Sequence, residues 1–151
     1  MFKSIRTSGL LSVILVLLSF SLLAGGCDYI TGKSTCDTPH DEQQIFDITV
    51  LKANDLIREN TGNPDFIILD VRTPEEFANG HIEGAVNTDI NDNFVNEAAT
   101  LEKDKTYLVY CGSGRRSAEA RDTLAQLGFK NIYNMTAGIS EWQSAGFPVV
   151  R

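Results

Sequence analysis

The stretch Phe66-Ile67-Ile68-Leu69-Asp70-Val71-Arg72-Thr73-Pro74-Glu75-Glu76-Phe77 decides the fold, because a buried strand leads directly into a helix within it. Residues 66–71 form a nearly continuous apolar run, which is typical of strands covered on both faces of a parallel sheet. Thr73 then provides a capping hydroxyl, with a proline at the first helical position and Glu76 at the third, the arrangement of a capping box. The stretch therefore predicts one strand–helix unit of an α/β protein.

Strand and helix patterns alternate along the whole chain from residue 45 onward. Short apolar runs predict strands, and amphipathic stretches predict the helices between them. The predicted strands are 45–50, 66–71, 85–88, 106–110 and 131–135, and the predicted helices are 52–60, a short one stopped by Gly80, 94–101, 117–127 and 139–144. This order predicts an α/β fold with an open, mostly parallel five-stranded sheet and helices on both faces.

Length and charge exclude several classes of protein. The 151 residues allow one domain of ordinary size, and the 42% hydrophobic content is that of a globular protein. The formal net charge is -7, from 13 Lys and Arg against 20 Asp and Glu. This surface is unsuited to binding nucleic acid phosphates or anionic lipid headgroups.

Residues 1–26 have the layout of a signal peptide. Lys3 and Arg6 precede an apolar run over 10–24, which small residues follow, and there is no acidic residue before Cys27. The run is short for a membrane span, which needs about 20 apolar residues, so an uncleaved anchor is the less favoured alternative. Both alternatives place the remainder of the chain outside the cytoplasm.

The stretch Leu22-Leu23-Ala24-Gly25-Gly26-Cys27 resembles a bacterial lipobox, although Ala24 stands where the motif usually has Leu. The resemblance implies lipidation of Cys27 and a protein anchored in the cell envelope, facing the periplasm or the cell exterior. A soluble secreted form is the alternative. Globomycin-sensitive processing that disappears in Cys27→Ser would identify the lipidation, and unchanged processing would exclude it.

Residues 27–44 are predicted to be a flexible tether, because they show almost no apolar periodicity. The folded domain is then predicted to be 45–151. Cys36 lies in the tether and is interpreted either as a spare thiol or as the partner of Cys111 in a disulfide, which an oxidising compartment would permit.

The segment Cys111-Gly112-Ser113-Gly114-Arg115-Arg116-Ser117, called the cysteine loop below, follows a predicted strand. Its two glycines allow successive amide N–H groups to converge, and the N-terminus of the next helix adds partial positive charge. Two adjacent arginines favour a thiolate on Cys111 over a thiol. The loop therefore predicts a nucleophile facing an anion-binding cradle, whereas a buried cysteine in the core would need neither the glycines nor the arginines.

Three ordered motifs of this sequence resemble those of rhodanese-family sulfurtransferases. The Cys-x-x-Gly-x-Arg-Ser pattern of the cysteine loop resembles the family's active-site loop. The stretches 70–77 and 80–87 resemble its N-terminal signature, and 137–142 with 146–148 resembles its C-terminal signature. The similarity extends over about 46–150 and implies the rhodanese fold.

The length of the cysteine loop separates this resemblance from the related protein tyrosine phosphatases. Those enzymes have five residues between Cys and Arg, whereas here Arg116 comes one position earlier and Ser117 occupies the phosphatase position. The smaller loop suits a sulfur atom better than a phosphate group.

The resemblance implies a thiosulfate sulfurtransferase in which Cys111 is the catalytic nucleophile and carries a persulfide. The implied substrate-binding residues are Gly112, Ser113, Gly114, Arg115 and Arg116. Asp70 and Arg72 are expected to brace the active loop rather than to act in catalysis. The expected partners are a small anionic sulfur donor and a thiophilic acceptor, cyanide or a thiol, and no metal or organic cofactor is implied.

Two other functions remain open on the sequence. The domain is either an enzyme, a sulfur-carrier or protein-binding module of the same family, or a thiol redox protein that uses Cys36 and Cys111. His81 and Trp142 are predicted to be structural, as a hydrogen-bonded histidine and a core residue.

Overall fold

The computed structural model describes residues 42–151, in which strands and helices alternate in the predicted order. The strands are β1 (Gln44–Ile48), β2 (Phe66–Asp70), β3 (Ala85–Asn87), β4 (Thr106–Tyr110) and β5 (Asn131–Met135). The helices are α1 (Val50–Glu59), α2 (Pro74–Ala78), α3 (Phe94–Ala99), α4 (Arg115–Gln126) and α5 (Gly138–Ser144). The predicted signal peptide, Cys27 with its predicted lipidation, Cys36 and most of the predicted tether lie outside the described residues.

Within the described residues, the five strands form one sheet in the order β1-β5-β4-β2-β3, so β4 lies at its centre. Every neighbouring pair of strands is parallel. Parallel neighbours require crossover connections over the faces of the sheet, and helices provide those connections here. The predicted five-stranded parallel α/β fold is confirmed.

Each face of the sheet is covered by its own hydrophobic core. On one face, buried residues of α3 and α4 pack on β2, β4 and β5. On the other face, buried residues of α1 and α5 pack on the same strands. Successive residues of a strand point to opposite faces. Tyr107 and Val109 of β4 therefore belong to the α4 side, while Leu108 and Tyr110 belong to the α1 side.

Several predicted boundaries differ from the structure by one or two residues, and at two of them a helix begins earlier than predicted for a local reason. The first strand was predicted to run to Val50, but Thr49 caps α1 by accepting a hydrogen bond from the Lys52 N–H. The fourth helix was predicted to begin at Ser117, but it begins at Arg115. Gly114 adopts a left-handed φ of 95°, which completes the turn two residues sooner.

The end of the predicted tether is also corrected. The Gln43 side chain donates hydrogen bonds of 2.8 Å to the carbonyl oxygens of Ala125 and Phe129. Gln44 already pairs with Asn131 as the first residue of β1. Because Gln43 is fixed to the end of α4, the folded domain begins before residue 44. None of the helices in residues 42–151 is long and apolar enough to cross a membrane.

Candidate functional site

Cys111 follows the central strand β4 directly, at the carboxyl end where ligands bind in open parallel sheets. Cys111 is two residues beyond Val109 and four beyond Tyr107, so its side chain points to the same face of the sheet and belongs to the core on the α4 side. The residue is only 1% exposed. The predicted nucleophile therefore lies within the cysteine loop rather than on the protein surface.

Backbone amide groups of the cysteine loop surround the Cys111 sulfur. The Gly114 N–H donates to Sγ across 3.1 Å. A Cβ atom on Gly114 would lie 1.5 Å from the Thr136 carbonyl oxygen, in addition to the strain of its left-handed φ. Only glycine fits at this position, and the amide of this glycine is the one that reaches the sulfur.

Helix α5 holds the opposite side of the cysteine loop. The Ile139 N–H donates to the Cys111 carbonyl oxygen at 2.8 Å, and the Ser140 N–H donates to the Gly112 carbonyl oxygen at 3.1 Å. In a trans peptide the C=O and the following N–H point in opposite directions. Holding the Gly112 carbonyl towards α5 therefore directs the Ser113 N–H to the other side, where the sulfur lies.

The approach of α5 to the cysteine loop depends on Gly138. This residue has a left-handed φ of 63°. A Cβ atom there would lie 2.5 Å from the Cys111 carbonyl oxygen and 2.6 Å from the Gly112 carbonyl oxygen. The glycine of the C-terminal motif thus allows the helix to hydrogen-bond the loop.

Burial alone would raise the pKa of the Cys111 thiol, but hydrogen bonds outweigh this effect and the net shift is downward. The largest lowering effects come from the Ser117 N–H and hydroxyl, followed by the Ser113 and Gly114 N–H groups. These donors favour the thiolate because a hydrogen bond to a charged sulfur is stronger than one to a neutral thiol. Ser117 is fully buried, and its hydroxyl lies 3.1 Å from the Gly114 carbonyl oxygen.

The two predicted arginines differ in their surroundings. Arg115 lies exposed at the start of α4. Arg116 folds over the cysteine loop and forms a bidentate ion pair with Glu76, with both N–O distances at 2.7 Å. The hydrogen bond from Arg116 is the largest cause that lowers the pKa of Glu76, to about 2. The Arg116 guanidinium is therefore already paired with a carboxylate in the absence of substrate.

Asp70 and Arg72 form a second ion pair, which is buried. The Arg72 Nη2 atom lies 2.5 Å from Asp70 Oδ2 and 2.7 Å from the Gly80 carbonyl oxygen. Its guanidinium carbon also lies 5.8 Å from the centre of the Tyr110 ring, next to Cys111 in sequence. The pair thus holds the turn at Gly80 and the end of β4, whereas the direct contact with the cysteine loop is made by Glu76.

The structural residues predicted from the sequence are confirmed. The His81 Nδ1 atom lies 3.0 Å from the Phe77 carbonyl oxygen, and its ring stacks on the Phe77 ring. Trp142 is 3% exposed, and its indole N–H donates to the Pro148 carbonyl oxygen.

Sequence reasoning missed three residues of the site. Ser117 was interpreted as part of the loop motif and the start of a helix, Glu76 as part of a capping box and the N-terminal motif, and Gly138 as part of the C-terminal motif, but none was given a role in the site. The signal that was present for Ser117 was a hydroxyl in the first turn after an anion-binding loop. Glu76 gave no such signal, because its partner Arg116 lies 40 residues further along the chain.

No group of three or more His, Cys, Asp or Glu residues within 42–151 is arranged to hold a metal ion.

A cavity of about 340 Å³ lies away from the cysteine loop. It is lined by residues of the α1 end, the start of β2, the turn at 82–84, Trp142 and Pro148. No residue of the cysteine loop lines it.

Comparison with known proteins places the chain in a family. The sequence model for the rhodanese-like domain matches residues 53–145. A mitochondrial protein of Schizosaccharomyces pombe named as a thiosulfate sulfurtransferase is 39% identical over 112 residues, which cover 65% of this chain and 76% of the relative. The thiosulfate sulfurtransferase GlpE of Shewanella oneidensis is 33% identical over 95 residues, covering 63% and 92%. The match spans 76% of the length of the Schizosaccharomyces pombe protein and 53% of a second relative, a mitochondrial protein of Arabidopsis thaliana that is 40% identical over 90 residues.

One solved structure is similar to this chain in both fold and sequence. The crystal structure of a rhodanese-related protein from Thermoplasma volcanium superposes with a TM-score of 0.57 and is 36% identical. It covers 71% of this chain, and the match includes 97% of the solved chain. Because the family model also spans more than half of the 151 residues, the chain belongs to the family of rhodanese-like domain proteins.

Proposed function

We propose that this protein is a sulfurtransferase that carries sulfur as a persulfide on Cys111. Membership of the rhodanese-like family and relatives named as thiosulfate sulfurtransferases support a sulfurtransferase-like role. The observation that supports a persulfide on Cys111 is the set of hydrogen-bond donors from Ser113, Gly114 and Ser117 around its sulfur. These donors stabilise a negative charge on sulfur, which both the attacking thiolate and the persulfide carry.

In the first step the Cys111 thiolate attacks the outer sulfur of a donor such as thiosulfate. A sulfur–sulfur bond forms to Cys111 while the sulfur–sulfur bond of the donor breaks, and sulfite leaves with the bonding electron pair. The product is a Cys111 persulfide with one negative charge on its outer sulfur. No proton transfer is required, so no general base is needed beside the cysteine.

In the second step a thiophilic acceptor attacks the outer sulfur. With cyanide as acceptor, a carbon–sulfur bond forms while the sulfur–sulfur bond of the persulfide breaks, thiocyanate leaves, and the cysteine sulfur keeps the bonding electron pair as the Cys111 thiolate. A thiol acceptor in its thiolate form takes the sulfur in the same way and becomes a persulfide itself. The amide donors of the cysteine loop remain in place through both steps, so they need no reorganisation.

The proposal is tested with the purified full-length chain. Incubation with thiosulfate should add one sulfur atom to the peptide that contains Cys111, as measured by site-resolved mass spectrometry, and cyanide should then release thiocyanate. Cys111→Ser should show neither result.

Absence of both the adduct and thiocyanate in the unchanged chain would contradict the enzyme proposal. An adduct that cyanide cannot discharge but a protein thiol can would indicate a sulfur-carrier module instead. A Cys36–Cys111 disulfide under mild oxidation, without any adduct, would indicate the redox alternative.

A further inference from the structure

Glu76 occupies the anion-binding face of Arg116. Its two carboxylate oxygens each lie 2.7 Å from a different terminal nitrogen of the guanidinium. This is the bidentate geometry in which an arginine would otherwise bind an oxyanion. An anionic donor that used Arg116 would therefore have to displace the carboxylate or bind beside it.

The ion pair lies directly against the reactive segment. A Cβ atom built on Gly112, the residue after Cys111, would lie 3.4 Å from the Arg116 Nη2 atom and 4.0 Å from the Glu76 Oε1 atom. The charged groups that act on the Arg116 guanidinium are Glu76, Asp89 and the Cys111 thiolate, and all three are negative. Arg116, which folds over the cysteine loop, is thus surrounded by negatively charged groups.

We propose that Glu76 is a specificity-determining residue that occupies the oxyanion-binding face of Arg116 and so weakens the preference of Cys111 for highly charged donors. The inference rests on the proposed sulfur transfer and defines its substrate class. Donors of low charge, such as the persulfide of a small thiol, are favoured relative to dianions such as thiosulfate. Glu76 acts through Arg116 and through its own charge, without contact to the reacting atoms.

The structure allows the charge of Glu76 to be removed with little other change. Its Oε2 atom accepts a hydrogen bond from the Thr73 N–H at 3.1 Å, and its own N–H donates to the Thr73 hydroxyl. Glutamine forms the same capping box, because its amide oxygen accepts the Thr73 N–H. Glu76→Gln therefore retains the start of α2 and loses the charge opposite Arg116.

The test compares two alkylating reagents of nearly equal size, anionic iodoacetate and neutral iodoacetamide, on the full-length chain. Each reagent forms a carbon–sulfur bond to Cys111 and releases iodide, and the Cys111 peptide is followed by mass spectrometry. Glu76→Gln should raise the ratio of the iodoacetate rate to the iodoacetamide rate about fivefold at low salt, and added salt should reduce the gain. An unchanged ratio, or a Cys111 that reacts with neither reagent, overturns the proposal.

Two control variants separate the local effect from other causes. Glu75→Gln removes the same charge from the neighbouring exposed position of α2. Thr73→Ala removes the capping hydroxyl but retains the Glu76 charge. Both should leave the ratio within about twofold of that of the unchanged chain, because neither frees Arg116. A gain equal to that of Glu76→Gln in either control overturns the proposal.

A thiosulfate experiment separates this inference from the proposed function. The rate of sulfur loading from thiosulfate should rise in Glu76→Gln relative to loading from a small-thiol persulfide. Equal loading by all variants would refute the role of Glu76 and leave sulfur transfer intact. A changed alkylation ratio without any sulfur adduct would refute sulfur transfer and leave only the electrostatic effect of Glu76 on anionic reagents at Cys111.

Discussion

Two arginine–carboxylate pairs take their carboxylates from the same N-terminal motif and differ in what surrounds them. In the first, Asp70 and Arg72 are two residues apart, and their side chains are 0% and 7% exposed. In the second, Glu76 pairs with the distant Arg116, and the two side chains are 39% and 21% exposed. The first pair fixes the end of the sheet, and the second lies on the cysteine loop.

The comparison shows that burial decides what an ion pair does for a protein. Removing one member of a buried pair leaves a charge without solvent or a partner, which is strongly destabilising. Water still reaches and partly screens the half-buried pair of Glu76 and Arg116, which therefore contributes much less to stability. The Glu76 pair can therefore alter the electrostatics of the site at little cost to the fold, whereas the Asp70 pair cannot change without damage.

The largest expected effect is on stability. Its absence would contradict the conclusion that burial separates the two ion pairs. Asp70→Asn should lower the free energy of unfolding by about 3–5 kcal/mol, because it leaves the Arg72 guanidinium buried and uncompensated. Urea denaturation measures this change. Glu76→Gln in the same assay should lose less than about 1 kcal/mol. Losses of similar size in the two variants would show that burial does not separate the pairs.

An intermediate effect is expected on the reactivity of the thiol. Ser117→Ala removes a hydroxyl that lowers the pKa of Cys111, so this pKa should rise. The pH dependence of Cys111 alkylation by iodoacetamide measures it. Ser113→Ala is the matched control, since it retains the amide N–H that acts on the sulfur. A shift of the Cys111 pKa in Glu76→Gln that is larger in size than the rise in Ser117→Ala would place the control of the thiol in the arginine pair instead.

The smallest effect is the pH dependence of the Glu76 pair. The Arg116 hydrogen bond lowers the pKa of Glu76 from 4.5 to about 2 in the folded chain, so the pair stabilises the fold fully above pH 4.5. This contribution is lost as the pH falls towards 2. The unfolding free energies of the unchanged chain and Glu76→Gln should differ by less than about 1 kcal/mol at neutral pH and converge in acid. A difference that stays constant over this range would contradict the assignment.

The sequence predicted the elements that local signals define. The bounds of β4 and β5 agree with the prediction, because apolar runs and turn residues mark both ends of each. The start of α4 was missed by two residues because a glycine in the sequence does not reveal that its φ is positive. The capping box at Thr73 was predicted correctly, because all its residues are adjacent in sequence.

The contacts that define the site depend on long-range packing and could not be predicted. Glu76 was recognised for its local role, but its contact with Arg116 requires α2 and α4 to meet. The same holds for Gly138. A side chain at this position is excluded only because α5 lies against the Cys111 carbonyl oxygen, and this contact is not visible in the sequence. Local patterns therefore predicted the nucleophile, and the tertiary structure was needed to find the residues that tune it.

The hydrogen bonds from α5 to the cysteine loop also have a consequence for folding. Ile139 and Ser140 come late in the chain, and their N–H groups orient the peptides whose amides face the sulfur. A chain that has folded only as far as β4 and α4 has its cysteine but lacks these supports. The Ser113 N–H is thus aimed at the sulfur only when α5 lies on the loop, so the full lowering of the Cys111 pKa requires the completed fold, although Ser117 and Gly114 supply their donors from α4 and the loop itself.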